Sequence, residues 1–218
     1  EEHLERLEIV LGRLQSCGLK LKPKKCHLLQ TSVTFLGHVV SAAGIQTDPR
    51  KVEHVAEWPE PRNLKELRGF LGLTSYYRRF VEGYANIASP LTDLMKKNRT
   101  FAWTAECRDA FMRLKDALIS PPILAMPDDT SQFILDTDAS DTAIGSVLSQ
   151  VQNGIERVIA YAGRTLKPNE KNWCITRREL LSILVYTKYF RQYLLGRTFV
   201  IRTDHSALTW LRRTTEPI

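Results

Sequence analysis

The chain has 218 residues, of which 43% are hydrophobic, and this is enough to build one large or two small globular domains. Its 31 Lys and Arg residues exceed its 24 Asp and Glu residues, and the formal net charge of +7 is compatible with a polyanionic partner. No apolar run approaches the roughly 20 residues of a membrane span, and the four scattered cysteines predict neither a disulfide framework nor a zinc site.

The first predicted elements are a helix and two strands. Apolar residues recur at helical spacing over 1–16, and Gly18 supplies the stop signal. The stretch 24–29 predicts a strand, and 33–40 predicts a second strand that ends at the Ala43-Gly44 turn.

Residues 48–118 are predicted to be entirely helical. Asp48-Pro49 begins the first helix, because Asp accepts a hydrogen bond at the N-cap and Pro suits the first helical position. Asn63 caps the second helix in the same way. The predicted helices are 49–58, 64–80, 87–97 and 104–118.

From residue 132 the hydrophobic pattern becomes that of strands, in the order βββαβα. The predicted strands are 132–138, 143–151, 157–162 and 198–203, and the predicted helices are 177–195 and 206–213. Asn153-Gly154 is a strong hairpin signal. A helix crosses between the first and fourth strands, so these two are expected to be parallel. The predicted class is α+β, with a domain boundary between Pro121 and Pro127.

Three acidic residues stand at the ends of these predicted elements. Parallel first and fourth strands put Asp138 and Asp204 at the same edge of the sheet, and the crossover helix starts near Glu179. Converging carboxylates can hold two divalent ions for in-line attack of water on a phosphodiester. The predicted cofactor is Mg²⁺, which prefers oxygen ligands, with Mn²⁺ as a substitute.

Each carboxylate also has a structural explanation. Asp138 fits a turn start, and Asp136 lies two residues earlier on the same strand face as a competing ligand. Thr176-x-x-Glu179 has the spacing of a capping box. Asp204 suits the N-terminus of the last helix. The sequence leaves these alternatives open.

Longer motifs resemble the Pol polyprotein of gypsy-like LTR retrotransposons (Metaviridae), over essentially the whole chain. The resemblance is carried by FLGHVVS at 35–41, WPxP at 58–61, LKELRGFLGL at 64–73, YYRRF at 76–80, LTDL at 91–94, FxWT at 101–104, DTDAS at 136–140, GSVLSQ at 145–150, YAxRTL at 161–166 and RTDHSAL at 202–208. Motifs this long and in this order are very specific.

The resemblance implies three parts. They are the end of a reverse transcriptase palm with a primer-grip hairpin at 1–47, a helical thumb and connector at 48–120, and a C-terminally truncated ribonuclease H-like domain at 127–218. Asp138, Glu179 and Asp204 would be the family's first three ribonuclease H carboxylates, both catalytic and metal-binding. The implied nucleic-acid contacts are Phe35, Leu36, Gly37, Arg68, Gly69, Phe70, Gly72, Arg78 and Arg79.

The implied parent copies RNA into DNA and degrades the RNA strand of RNA–DNA hybrids. This chain is expected to be a fragment that lacks the polymerase aspartates and the fourth ribonuclease H carboxylate. The implied partners are an RNA–DNA hybrid or primer–template duplex and the rest of the Pol polyprotein, in a cytoplasmic virus-like particle or the nucleus, with no membrane.

The same residues also fit explanations that involve no catalysis. The chain also fits a non-catalytic, domesticated or degenerate clamp for nucleic acid. Tyr76, Tyr77 and Phe80 fit helix packing, and the pairs Arg78-Arg79 and Arg177-Arg178 fit ordinary solvated faces.

Overall fold

The computed structural model describes residues 1–97 and 99–211, and the chain divides into two compact units. The first, Glu1–Val33, contains helix α1 (Glu2–Ser16), as predicted. The predicted strand at 24–29 is wrong: a 3-10 helix occupies Pro23–Lys25. Pro23 stands at its first position, where the fixed φ of proline favours a helical start and its missing N–H costs nothing.

The second unit begins at Thr34 and opens with a hairpin. Strand β1 (Ser32–Phe35) crosses the division, and β2 (His38–Ser41) pairs antiparallel with β3 (Gly44–Thr47). The predicted continuous strand 33–40 is interrupted, because Leu36 and Gly37 adopt φ values of 47° and 73° and turn the chain. At Gly44, with φ of 133°, a Cβ would collide with the carbonyl oxygen of Leu124.

The helical segment follows with the predicted caps. The helices are α2 (Pro49–Ala56), α3 (Leu64–Tyr76), α4 (Tyr84–Ile87), α5 (Ser89–Asp93) and α6 (Ala105–Ile119). Side chains of Asp48, Asn63 and Thr104 each accept a hydrogen bond from a backbone N–H of the helix that follows. Two short helices, α4 and α5, stand in place of the single predicted helix 87–97. Pro90, in the first turn of α5, has no backbone N–H, so it cannot donate the hydrogen bond that one continuous helix would need there.

One hydrophobic core fills the helical segment. Phe70 is fully buried and lies between Trp58 and Phe111, at ring-centroid distances of 6.1 Å and 4.5 Å. The predicted helix 64–80 ends at Tyr76, and a 3-10 helix at Arg78–Phe80 carries the chain onward.

A four-stranded sheet follows, with strand order β6-β5-β4-β7. The strands are β4 (Phe133–Ala139), β5 (Ala143–Gln152), β6 (Ile155–Thr165) and β7 (Phe199–Arg202). The predicted parallel pairing is confirmed between β4 and β7, and the predicted turn is confirmed at Asn153-Gly154, where φ is 52° and 77°.

The helices described in this part of the unit, up to residue 211, are α7 (Pro168–Lys171), α8 (Ile175–Tyr189), α9 (Arg191–Leu194) and α10 (Ser206–Leu211). The predicted helix 177–195 is divided at Phe190, and the end of the predicted helix 206–213 lies outside the described residues. A second core forms between α8 and β4. It contains Tyr186 of α8 and Phe190 at the C-cap of this helix, together with Phe133 and Leu135 of β4. The α+β class is confirmed.

Within residues 1–97 and 99–211, each helix is too short or too polar to cross a membrane.

Candidate metal centre and nucleic-acid interface

The structure brings Asp138, Glu179 and Asp204 together. One carboxylate oxygen from each lies within 4.8 Å of the others. The parallel register explains this, since its last pair is Asp136 with Arg202, and Asp138 and Asp204 each lie two residues beyond that pair at the same edge of the sheet. Helix α8 crosses beside this edge and supplies Glu179.

Glu179 is the buried member of the cluster, with 2% of its surface exposed, whereas Asp138 and Asp204 are exposed. Its Oε1 accepts a hydrogen bond of 3.1 Å from the backbone N–H of Ala139. Burial raises the pKa of Glu179 above its usual range, and the charges of Asp138 and Asp204 add to the rise, while the bond from Ala139 opposes it.

The capping-box alternative for Glu179 is wrong. The N-cap of α8 is Cys174, and no side chain caps the helix. Glu179 reaches toward strand β4 instead of back to its own helix. The carboxylate is therefore available to the cluster.

The cluster fits a hard divalent cation. The Oε2 atom of Glu179 is buried and has no hydrogen-bond partner among the described residues. An unpaired, buried oxygen on a carboxylate that lies beside two others is costly unless positive charge is present. Oxygen donors from three acidic side chains are also the ligand type that Mg²⁺ and Mn²⁺ take.

Asp136, the competing ligand, has a different partner. Its two carboxylate oxygens accept hydrogen bonds of 2.5 Å and 2.6 Å from the guanidinium of Arg202. Arg202 also donates to Glu156, so the three side chains form one ion-pair network. Asp136 thus ties β7 to the sheet and is not part of the cluster that Asp138 joins.

Three residues near the cluster were not among the predicted site residues. Arg178 is 11% exposed, and its Nη1 donates to the carbonyl oxygen of Ser140 at 2.8 Å and to Asp141 at 2.6 Å. Thr176 Oγ1 and His205 Nε2 lie 2.9 Å apart. In the sequence, Thr176 belongs to the capping-box spacing, Arg178 to a basic pair and His205 to a longer motif, but none of these patterns assigned them to the site.

A groove of about 240 Å³ lies beside Asp138. Because side chains alternate along a strand, Asp136 and Asp138 point away from the face that packs on α8. The groove is lined by Glu82, Gly83, Asn86, Asp136, Thr137, Asp138, Gly145, Ser146, Val147, Tyr161 and Ala162. The helical segment therefore forms one wall and the sheet forms the floor.

The predicted hairpin contacts lie at an exposed tip. Phe35 is 63% exposed and Leu36 is 70% exposed. Tyr76 and Tyr77 donate hydrogen bonds through their hydroxyl groups to the carbonyl oxygens of Leu36 and Gly37, respectively. The end of α3 therefore fixes the backbone of this tip and leaves its apolar side chains free.

The predicted contacts in α3 separate by burial. Arg68, Gly69 and Gly72 are exposed, and a Cβ at Gly72 would meet nothing within 4 Å. Phe70 lies in the core, so its side chain does not reach the surface. The glycines leave a bare backbone on the exposed side of the helix.

The paired arginines after α3 also differ. Arg78 is exposed, whereas Arg79 is half-buried and donates through Nη2 to the carbonyl oxygen of Ile159 in β6, at 3.4 Å. Tyr77 and Phe80 are each 1% exposed, which confirms the helix-packing interpretation for these two residues. Tyr76 is 51% exposed.

Comparison with known proteins agrees with this geometry. Residues 103–201 match the family described as an RNase H-like domain found in reverse transcriptase. The Pol polyprotein of transposon 297 of Drosophila melanogaster is 44% identical over 217 residues, covering 99% of this chain and 20% of that protein. The corresponding polyprotein of transposon 412 is 40% identical over 97% of this chain and 17% of that protein. The chain thus spans about a fifth of the length of these relatives.

Solved structures show the same architecture. A foamy viral protease-reverse transcriptase in complex with double-stranded DNA superposes with a TM-score of 0.80 and 26% identity, over 98% of this chain and 38% of that chain. The foamy viral protease-reverse transcriptase in complex with RNA/DNA hybrid gives a TM-score of 0.76 and 25% identity, over 99% of this chain and 32% of that chain. The chain is therefore similar to retrotransposon Pol polyproteins over nearly its whole length, and residues 103–201 match the RNase H-like domain found in reverse transcriptase.

Proposed function

We propose that the sheet and α8 form the active site of a ribonuclease H, which hydrolyses the RNA strand of an RNA–DNA hybrid with Mg²⁺ as its cofactor. The observation that carries the proposal is the convergence of Asp138, Glu179 and Asp204 within 4.8 Å, from strand β4, helix α8 and the loop after β7. The buried, unpartnered oxygen of Glu179 supports it, because a site without a cation leaves that atom unsatisfied.

In this proposal Asp138, Glu179 and Asp204 hold the divalent ions. When bound, such ions supply an activated water and stabilise charge on the leaving oxygen. Glu179 fixes the inner side of the site, because its other oxygen is anchored on Ala139. Asp138 and Asp204 are exposed and reach the side from which a phosphodiester approaches. Without cations, the three carboxylates repel the phosphates of a nucleic acid.

The duplex is proposed to contact the exposed side of α3 and the hairpin tip. Gly69 and Gly72 allow close approach of the helix backbone to the sugar edge, and Arg68 and Arg78 are exposed for phosphates. Related foamy viral enzymes were solved with double-stranded DNA and with an RNA/DNA hybrid, which supports a duplex ligand. Recognition through phosphates predicts binding that weakens steeply with salt.

We also propose a division of the chain into three parts. Residues 1–47 are assigned to a palm with its primer-grip hairpin, 48–120 to the thumb and connector, and 127–218 to the ribonuclease H domain. The parent polypeptide is proposed to copy RNA into DNA through a separate polymerase site, in a cytoplasmic virus-like particle or in the nucleus.

The test is cleavage of an end-labelled RNA–DNA hybrid by the reverse transcriptase–ribonuclease H polypeptide that contains this chain. We expect Mg²⁺-dependent cleavage of the RNA strand that Asp138→Asn reduces by about 100-fold or more, because one cation ligand is lost. Asp136→Asn is the matched control, since Asp136 lies two residues away and binds Arg202 instead. Equal effects of the two substitutions would contradict the proposal.

The same assay distinguishes the proposed nuclease from the alternative, a non-catalytic clamp for nucleic acid. A non-catalytic clamp binds the hybrid, leaves the RNA intact in Mg²⁺ and Mn²⁺, and is unaffected by Asp138→Asn. Filter binding of the same hybrid in EDTA measures that affinity independently of cleavage.

A further inference from the structure

The three carboxylates of the acidic cluster cannot hold one another in place. Asp138, Glu179 and Asp204 carry like charges, which repel one another when they approach within 4.8 Å. Asp138 and Asp204 are exposed, so solvation favours their separation. Other contacts must hold the segments that carry them.

We propose that the first turns of α8 position the cluster through two side chains, Arg178 and Thr176, which serve as positioning residues for the cation ligands. The proposal rests on the proposed function, since it describes how the same site is assembled. The two side chains hold the two aspartate-bearing segments around Glu179, one on each side.

Arg178 holds the segment after Asp138. Its Nη1 donates to the carbonyl oxygen of Ser140 at 2.8 Å and to Asp141 Oδ1 at 2.6 Å. The adjacent Glu179 accepts from the N–H of Ala139. Consecutive residues of α8 therefore bind backbone atoms of two consecutive residues, Ala139 and Ser140, where β4 ends, and the position of Asp138 relative to Glu179 is fixed.

The burial of Arg178 supports a positioning role. Its side chain is only 11% exposed, whereas Asp141 is 92% exposed, so the protected partner is the Ser140 carbonyl and not the surface carboxylate. A guanidinium held this deeply is not an ordinary solvated charge. Asn86 of α4 contacts the same turn, since its Oδ1 accepts from Ser140 Oγ at 3.0 Å.

Thr176 holds the segment that carries Asp204. Its hydroxyl lies 2.9 Å from Nε2 of His205, the residue that follows Asp204, and both side chains are half-buried. Beyond β7 the ladder with β4 ends at Arg202, so backbone pairing does not extend to Asp204. The Thr176–His205 bond is the contact that links this segment to the start of α8.

The experiment measures Mn²⁺ binding to the 218-residue chain by electron paramagnetic resonance of the free ion. Variants are Arg178→Met, which keeps an unbranched side chain as far as the ε position but has no donors, Thr176→Val, which is isosteric, and Arg178→Lys as the conservative replacement. Arg177→Met is the matched control, because Arg177 is the exposed neighbour of Arg178.

We expect Arg178→Met to weaken Mn²⁺ binding about 10- to 100-fold, as the loss of outer partners of metal ligands does. Thr176→Val should weaken it about fivefold, as expected for one hydrogen bond. Arg178→Lys should restore part of the affinity, since an ammonium can still donate to Ser140. Arg177→Met should bind as the wild type does.

Thermal unfolding in EDTA separates positioning from a purely structural role. A structural role lowers the melting temperature but leaves Mn²⁺ affinity unchanged at a temperature where the variant is folded, and that result overturns the inference. If Arg178→Met does not fold, Thr176→Val decides, and wild-type affinity in Thr176→Val overturns the inference.

The failure of the proposed function looks different. If the wild-type chain and Asp138→Asn both fail to bind Mn²⁺, the metal site itself is absent and both proposals fall. If the wild type binds, Asp138→Asn does not, and the Arg178 and Thr176 variants bind as the wild type, only the positioning inference falls.

Discussion

The helical segment and the acidic edge of the sheet each contain a deeply buried side chain, but one lies among apolar groups and the other beside charged groups. Phe70 lies among aromatic rings that fill its neighbourhood. Glu179 lies equally deep, beside two other carboxylates, with one oxygen unpartnered among the described residues. Packing completes the first region without a ligand, whereas the second leaves a buried carboxylate oxygen without a partner among the described residues.

This contrast teaches how to separate structural from functional burial in the chain. Removing a side chain that is closely packed on all sides should lower the free energy of unfolding. Neutralising a buried charge that lacks hydrogen-bond partners should stabilise the ligand-free protein and remove its function.

The largest expected effect is on the packed region. Phe70→Ala should lower the free energy of unfolding by about 3–5 kcal/mol, because it removes a fully buried ring and leaves a cavity. Urea denaturation followed by circular dichroism measures the change. A loss below about 1 kcal/mol would mean that the core around Phe70 is not closely packed.

Glu179→Gln should have the opposite sign. In EDTA at neutral pH it should stabilise the chain by about 1–3 kcal/mol, because the buried charge without a full set of partners is gone. Mn²⁺ should then no longer raise the melting temperature. Glu53→Gln, at an exposed position, is the control and should leave both the stability and the Mn²⁺ response unchanged.

The stabilisation by Glu179→Gln should depend on pH. Because the folded-state pKa of Glu179 is raised above its ordinary value of 4.5, chiefly by burial, the folded wild type is favoured below 4.5 and loses that advantage as pH rises through the folded-state pKa. The difference between variant and wild type should therefore grow with pH across this window. A difference that shrinks as pH rises contradicts the account.

Gly72→Ala sharpens the comparison on the surface of the packed region. An added Cβ meets nothing within 4 Å, so the helix should gain about 0.5–1 kcal/mol of stability. If this face contacts a duplex, hybrid binding should weaken at the same time. Gly12→Ala, also in an exposed helix position with open space around it, should stabilise α1 without changing hybrid binding.

The smallest expected effect concerns His38, which stacks on Tyr76 with ring centroids 5.4 Å apart. Burial, with a further contribution from the charge of Arg79, lowers the pKa of His38 below its ordinary value of 6.5. The unfolded chain therefore takes up a proton first, and stability falls as pH drops below 6.5 toward the lowered pKa. His38→Phe keeps an aromatic ring and should lose less stability than the wild type between pH 7.5 and 5.5; an identical loss would count against this assignment.

Local chemistry explains what the sequence predicted well. Asp48, Asn63 and Thr104 cap helices through their own side chains, and Asn153-Gly154 turns a hairpin because these residues accept positive φ. The parallel pairing of β4 and β7 followed from the handed crossover through α8, and it was sufficient to place Asp138 beside Asp204.

What the sequence missed depends on distant contacts. Leu36 adopts a positive φ that leucine rarely takes, and its carbonyl is held by Tyr76, 40 residues away. The role of Arg178 depends on Ser140, 38 residues away, and that of Thr176 on His205, 29 residues away. No local pattern encodes such partners. Asp136 and Asp138 are indistinguishable by alternation, and only Arg202 separates them.

The most direct test of the central claim is an anomalous difference map from crystals of this chain grown with Mn²⁺. The account predicts a peak coordinated by oxygens of Asp138, Glu179 and Asp204, with Asp136 still paired to Arg202. Ordered Mn²⁺ found only elsewhere, with the three carboxylates turned apart, would contradict it.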